Sequence, residues 1–394
     1  MRLTIAAAIA ACSLFASVGG ASAGQTGDYD IDVVLPLTGG AAFLGTGERK
    51  SLELLQNVEN AKGGIHGRKI NFVFHDDETH PPTAVPMVNQ IKSAHPAVIL
   101  GSAISSVCNA MAPLMRSTGP VNYCFSPSLY PKSGSYVFSS SISTKALAQG
   151  FLTYFQAEGW TKIGLLTSSD ATGQDAHRNI MALMNSGKFP KLKIVSDEQF
   201  NPRGMSASAQ VQRIKGSNPD AMIAWSTGGP IGTVFKAIQN AGLNVPVATT
   251  DGNMTYAQMK EYASFLPKDL YIPSPEWPQS DALKVSAGVA AAKKMFFDAF
   301  NQAGIKPDGP STFAWDPALL VIEALKKLPE GATAADLRKA LAGITDFSGI
   351  NGKYDFKTFP QRGLGPDNVV VTRWDRKADR WAVVSKAGGA PLAN

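Results

Sequence analysis

The sequence predicts an α/β protein of two doubly wound, parallel-sheet lobes joined by a three-strand hinge. Three observations predict it. Short apolar runs alternate with amphipathic stretches of helical period, the pattern of a parallel sheet with crossover helices. That series of elements occurs twice along the chain. A helix-rich segment and a final strand pair then follow, and they complete the two copies better than they would build a third.

The first copy opens with Ile31-Asp32-Val33-Val34-Leu35 as a strand, followed by a loop from Pro36 to Gly47 with glycines at 39, 40, 45 and 47. A helix follows, with Leu52, Leu55, Val58 and Ala61 at a spacing of three, stopped by Gly63-Gly64. Lys69 to His75 alternates as a strand, and Thr83 caps a helix whose apolar face carries Val85, Val88 and Ile91. Ala97 to Leu100 is a short apolar strand. A serine-rich turn leads from it into a helix near Asn109 to Arg116, and Val121 to Phe125 is the next strand.

The second copy begins after the small polar stretch Ser139 to Ser143. Helix Lys145 to Glu158, strand Ile163 to Leu166 and helix Gln174 to Asn185 follow in turn, then strand Leu192 to Val195 and helix Ala207 to Lys215. Strand Ala221 to Trp225 precedes a helix ending at Gly242, and strand Val245 to Ala248 ends in Thr249-Thr250-Asp251-Gly252-Asn253. Beyond Pro273 come helices over Leu283 to Ala303, Pro317 to Lys327 and Ala334 to Ala342. The last strands are Gly352 to Phe356, Val369 to Val371 and Trp381 to Val384. The expected division is residues 24–143 with 275–350 in one lobe and residues 144–274 with 351–394 in the other, with three crossings between them.

Residues 1–23 read as a cleavable signal peptide. Arg2 gives a positive start, Leu3 to Val18 is apolar, and Ala21-Ser22-Ala23 is a small-x-small cleavage site. Lipidation at Cys12 is the alternative. Export to the periplasm follows in either case. The formal charge is +6, and it falls to +5 when the leader with its single Arg2 is removed. The excess is scattered, with no Lys/Arg run, which argues against a nucleic-acid partner. Cys108 and Cys124 remain, sixteen residues apart. They are able to pair in an oxidising compartment, or to serve as two small buried hydrophobes.

Hydroxyl side chains gather just after the expected strands: Ser105, Ser126, Ser128, Ser168, Ser169, Thr227 and Thr250. Together with helix N-terminal N–H groups they suit a carboxylate. Each one singly also suits a helix cap. His75-Asp76-Asp77-Glu78-Thr79-His80 has metal-ligating types, but it runs into Pro81-Pro82 and reads as a solvated loop. No cofactor is expected and no metal. Ser169, Asp175 and His177 share one turn and helix, and no Gly-x-Ser-x-Gly elbow or phosphate loop occurs, so an enzyme lacks its nucleophile. Trp277, in an irregular proline-rich stretch, is the aromatic candidate for a cleft wall. Trp225 closes a core strand and reads as packing.

The order and spacing of several short segments resembles the leucine-binding-protein-like, branched-chain amino-acid-binding receptors of ABC importers, the type I periplasmic binding proteins. The segments are Leu35-Pro36-Leu37-Thr38-Gly39, Ala61 to Ile70 with Gly63-Gly64 and Gly67, and His75-Asp76-Asp77. Val98-Ile99-Leu100-Gly101, Ser105-Ser106, Phe125-Ser126-Pro127 and Asp251-Gly252-Asn253 complete the set. The resemblance implies a ligand held between the lobes. It also implies a membrane permease and an ATPase as partners. By position, Ser105 with Ser106 and the turn Ser126-Pro127-Ser128 match the loops that hold a ligand carboxylate. Asp251 matches an acid that pairs with a ligand ammonium. Thr172 and Thr227 stand where amino-acid binders often carry tyrosines, and Leu44 where they carry a rim aromatic. These departures imply a differently shaped pocket, and relatives with such changes resemble receptors for aromatic or other small carboxylates. An amino acid or amide is the first ligand class, an aromatic or other small carboxylate the second, and a sensor on the same scaffold a distant third.

Overall fold

Strands that are apolar on both faces must be covered on both faces, and parallel sheets with helices on either side meet that need. A computed structural model of the chain, describing residues 27–116, 118–140 and 142–393, has two such sheets. The expected leader at 1–23 and the Cys12 alternative lie outside the described residues.

In the first lobe β1 (Tyr29–Leu35), β2 (Ile70–Asp76), β3 (Val98–Gly101), β4 (Val121–Cys124) and β5 (Val137–Ser139) form a wholly parallel sheet in the order β2-β1-β3-β4-β5. Helices α1 (Ala42–Ala61), α2 (Pro81–Ser93) and α3 (Ser105–Met111) connect its strands. Helix α4 (Thr144–Ala157) leads into the second lobe, where β6 (Lys162–Ser168), β7 (Lys193–Phe200), β8 (Ala221–Trp225), β9 (Val247–Ala248) and β10 (Leu270–Pro275) follow. They alternate with α5 (Ala171–Met184), α6 (Ser208–Gly216), α7 (Pro230–Ala241) and α8 (Tyr256–Glu261). The chain then forms α9 (Ala287–Gln302), α10 (Gly309–Lys327), α11 (Ala334–Ala342) and a two-stranded ribbon of β11 (Phe347–Gly349) and β12 (Gly352–Tyr354). Finally β13 (Val369–Asp375) and β14 (Arg380–Val383) add antiparallel to β10, and the second sheet reads β14-β13-β10-β9-β8-β6-β7. The order β7-β6-β8-β9-β10 repeats β2-β1-β3-β4-β5, so the repetition read in the sequence is a repetition of topology.

Several boundaries differ from expectation for local reasons. Helix α10 begins at Gly309, eight residues before Pro317, because Asp308 and Ser311 form a reciprocal capping box ahead of it. Pro317 therefore lies inside the helix. Helix α3 starts at Ser105 and passes into a 3₁₀ turn at Ala112–Met115, which puts the serine on the first turn. Strand β10 contains Pro273 and Pro275, which hide it from a propensity reading, yet it pairs with β13 from Tyr271 to Pro275.

Helix α10 is buried almost throughout, with Trp315 meeting Phe296 edge-on at 5.0 Å. Burying each large apolar side chain of this kind contributes about 1.5–3 kcal/mol. Its buried Asp316 accepts hydrogen bonds from the Ile350 and Asn351 N–H groups and the Tyr354 hydroxyl at 2.9–3.0 Å, which anchors the β11–β12 ribbon. Cys108 of α3 and Cys124 at the end of β4 form a disulfide, their Cα atoms 6.1 Å apart. It ties the helix that carries Ser105 to the strand that leads to Ser126.

Candidate functional site

In each lobe the strand order reverses beside the first strand, between β1 and β3 and between β6 and β8. Loops leaving the C-terminal ends of such a pair turn to opposite faces of the sheet and leave a crevice between them. Both crevices open into one cavity of about 590 Å³. Gly40, Leu44, Ser105 and Ser106 line it from the first lobe, and Asp170, Thr172, Thr227 and Pro230 line it from the second.

The first-lobe wall is a hydroxyl cluster. Ser105 Oγ lies 2.9 Å from Ser126 Oγ and 3.3 Å from Thr172 Oγ1, the latter across the cleft. Ser128 N–H donates to Ser126 Oγ at 3.4 Å, and Ser128 Oγ lies 3.3 Å from Thr144 Oγ1. Beneath this turn sits Arg362, 7% exposed, from the far end of the chain. Its guanidinium donates to the carbonyl oxygens of Pro127, Leu129 and Ser140 and lies over the Tyr130 ring. Burial pushes the Arg362 pKa down to about 10, so it remains charged at neutral pH. Hydroxyls backed by a buried cation make a wall suited to an anion.

The second-lobe wall carries a carboxyl. Asp251 follows β9, is 1% exposed, and accepts from Thr250 Oγ1 at 2.9 Å and Gly252 N–H at 3.0 Å through Oδ1. Its Oδ2 has no partner among the described residues. Burial pushes the pKa of Asp251 up to about 7, against the hydrogen bonds from Thr250 and Gly252 and the charge of Arg362. A Cβ on Gly252 would stand 2.7 Å from Thr227 Cγ2, so a larger residue there would turn the Thr227 side chain. Trp225 and Phe313, 1% and 3% exposed, stand in the wall of the same cavity.

The lobes meet at the cavity rim. Gly229 N–H donates to Gly40 O at 3.4 Å, and Tyr130 OH donates to Asp175 Oδ2 at 3.2 Å. Gly228 has φ of 82°, and a side chain on it would place Cβ 2.7 Å from Gly40 O, so this approach requires glycine.

Leu44, Ser105, Ser106, Ser126, Ser128, Thr172, Thr227 and Asp251, all named from the sequence, line this one cavity. Trp277 does not, which corrects the expectation for it: its indole stacks on Phe297 at 6.4 Å, away from the cleft, because α9 packs across the proline-rich segment. Trp225 does line the cavity, although its strand position read as packing. Arg362 was missed altogether. The carbonyls it holds lie 222 to 235 residues earlier, and nothing local marks it.

The acidic stretch after β2 is spent on structure. His75 Nε2 meets Asp32 at 2.8 Å, Asp76 accepts from the Leu37, Thr38 and Glu78 N–H groups, and Asp77 accepts from Ser102. Among the described residues no group of three His, Cys, Asp or Glu side chains is placed to hold a metal ion. His177 pairs with Asp197 at 2.8 Å.

Two doubly wound lobes that enclose a polar cavity from their strand ends define a type I periplasmic-binding-protein fold. Residues 29–379 match the family described as Periplasmic binding protein, and the chain belongs to that family, one of non-enzymatic receptors. Among curated proteins it is similar to Leu/Ile/Val-binding protein homolog 3 of Brucella melitensis, 24% identical over 241 residues, 60% of this chain and 64% of that protein. The match thus spans less than two thirds of that relative's length. Among solved structures it is similar to an extracellular ligand-binding receptor from Rhodopseudomonas palustris, at 19% identity and a TM-score of 0.79 over 90% of this chain and 99% of that one. It is also similar to the branched-chain amino acid transporter substrate binding protein LivJ from Streptococcus pneumoniae in complex with isoleucine (20% identity, TM-score 0.74, 91% and 99% covered). A further likeness is to an ABC transporter solute binding protein from R. palustris in complex with benzoate (21%, 0.73, 93% and 98%). At these identities the solved structures speak to the fold alone.

Proposed function

We propose that the chain is the exported solute-binding receptor of an ABC importer, taking a small amino acid or amide of branched-chain amino-acid type. Its lobes are residues 24–143 with 275–350 and 144–274 with 351–394, except that residues 351–362 pack on the first lobe, where β12 pairs with β11 and Arg362 holds the Pro127, Leu129 and Ser140 carbonyls. They close on the ligand and present it to the permease and ATPase subunits. The observation that carries this reading is the polarity of one cavity. An anion-suited wall, Ser105 and Ser126 over Arg362, shares it with the buried carboxyl of Asp251. A ligand with a carboxylate and an ammonium fits both ends, since each charge removed from water then gains a partner.

A second reading, an aromatic or other small carboxylate, is supported by Trp225 and Phe313 in the wall and by a volume of about 590 Å³. In that case Asp251 acts in its protonated form, donating rather than repelling. Similarity in fold to one protein in complex with isoleucine and to another in complex with benzoate is compatible with both readings. Calorimetric titration of isoleucine and benzoate into wild-type protein and Asp251→Asn separates them. The first reading predicts isoleucine binding that the substitution abolishes. Benzoate binding that the substitution leaves intact or tightens, with no isoleucine binding, replaces the first reading by the second.

A further inference from the structure

The second-lobe wall of the inter-lobe cavity ends on an arginine. Arg203 lies in the loop after β7 and lines the cavity together with Thr172, Thr227 and Asp251. Their strands stand in the sheet order β9-β8-β6-β7, and Asp251, Thr227, Thr172 and Arg203 follow the C-terminal ends in that same order. The outer two strands of this set are three inter-strand spacings apart, about 14 Å. The wall therefore carries a carboxyl at one end and a guanidinium at the other.

Arg203 is exposed, and its side chain has no hydrogen bond, ion pair or ring contact among the described residues. Among those residues it is the one lysine or arginine in the cavity lining, since Arg362 lies beneath the wall with its guanidinium on carbonyl oxygens. Its place is set by the backbone. Asn201 Oδ1 accepts from the Arg203 N–H at 2.9 Å and Asn201 O from the Gly204 N–H at 2.8 Å, closing a turn directly after β7. The acids of the same lining leave it unneutralised. Asp170 is turned to its own helix, accepting from the Ser168 hydroxyl at 2.7 Å and the Gly173 N–H at 3.0 Å. Asp251 stands at the far end, and Glu78 on the first lobe makes no ion pair with Arg203.

The carboxylate and ammonium of an α-amino acid sit on one carbon and span only part of this wall. A cavity of about 590 Å³ has the size that holds drug-sized ligands, so length remains beyond the headgroup. An arginine that loses water in a closed cleft needs a partner, and a carboxylate supplies one through two parallel hydrogen bonds. We propose that Arg203 is a specificity-determining residue of the cleft, receiving an anionic group at the far end of the ligand. The preferred ligand is then a diacid, with one carboxylate at Ser105 and Ser126 and the second at Arg203. This rests on the inter-lobe cavity as the ligand site. For an amino acid it replaces a branched apolar side chain by one that ends in an acid, and for an aromatic carboxylate it adds a second carboxylate. Isoleucine and benzoate then bind as weaker, headgroup-only ligands.

The test is calorimetry on the full chain and on Arg203→Gln with two matched pairs of probes, glutamate against glutamine and terephthalate against its monoamide. In each pair the amide keeps the size of the diacid and removes the second charge. At least one diacid is expected to bind wild type tighter than its amide by about fivefold or more. Arg203→Gln is expected to abolish that preference and to leave the affinity of the amide unchanged. The melting temperature of the ligand-free variant should match wild type, because the side chain is exposed and without contacts. A diacid preference that survives the substitution overturns the proposal, as does equal binding of diacid and amide or equal weakening of both. Isoleucine or benzoate binding in a protein that takes neither diacid also overturns it, and leaves the cleft reading in place. If none of these compounds binds, the cleft reading falls with it.

Discussion

Ser105 and Ser126, on separate elements twenty-one residues apart, bring their hydroxyl oxygens to 2.9 Å from each other at the mouth of one cavity. Two hydroxyls so close share one hydrogen between them and leave lone pairs and a second hydrogen for a third group. A ligand carboxylate is the natural third member. Replacing either serine by alanine is expected to cost about 1.5–3 kcal/mol of binding, the usual worth of a hydrogen bond to a charged group. Fold stability should change less for Ser105 than for Ser126, whose buried hydroxyl also accepts from the Ser128 N–H at 3.4 Å. Calorimetry on each variant checks this, and unchanged affinity in both moves the headgroup elsewhere.

Asp251 makes the pH dependence diagnostic. Its pKa of about 7 in the ligand-free cavity means that it is partly protonated at neutral pH. A ligand ammonium requires the ionised form, so isoleucine affinity should fall as pH drops from 8 to 5.5, approaching tenfold per unit below about 7. A carboxylate ligand requires the protonated form, and its affinity should move the opposite way. Titrations at four pH values give the sign.

The same group affects the stability of the free protein. Its folded pKa is raised above the ordinary 3.8, so the folded state holds the proton more tightly than the unfolded chain does. Its contribution is fully present below about pH 4 and is lost as pH rises toward about 7. Asp251→Asn removes that loss and should leave the ligand-free protein more stable than wild type at pH 8, by on the order of a few kcal/mol. Urea unfolding at pH 5 and 8 measures it. An equal difference at both pH values would mean that Asp251 is ionised throughout.

How much of this was legible in the sequence follows from how local each signal is. The two sheets were readable because each strand and helix carries its own period, and the repeat of glycine-rich loops after strands marked the edges where a site forms. Ser105, Ser126 and Thr227 lie a few residues beyond strand ends, where that rule points, whereas Asp251 was named through the family resemblance. Arg362 was not, because it reaches the Ser126–Leu129 turn only through the folded hinge. Trp277 was misplaced for a related reason, while Trp225 packs on Phe151 as its strand position indicates. Whether a tryptophan at a strand end faces a core or a cavity depends on which helix covers it, and α9 covers Trp277.

The Cys108–Cys124 bridge closes a sixteen-residue separation between α3 and the end of β4. Chain-entropy arguments for a loop of this length give about 3 kcal/mol of stabilisation. A Cys108→Ala/Cys124→Ala variant should unfold at correspondingly lower urea concentration. It should also bind more weakly, since the helix presenting Ser105 loses its tether. An unchanged midpoint would show that apolar packing of the two positions suffices.

On the proposed function, the inter-lobe cavity holds a small charged solute through Ser105 and Ser126. A thermal-unfolding screen of amino acids and aromatic carboxylates, run side by side on the wild-type chain and the Ser105→Ala/Ser126→Ala variant, tests it most directly, because a ligand of the folded state raises the melting temperature. At least one compound is expected to stabilise the wild type and to lose most of that effect in the variant. A compound that stabilises both proteins equally, or a complete screen in which none stabilises the wild type, contradicts it.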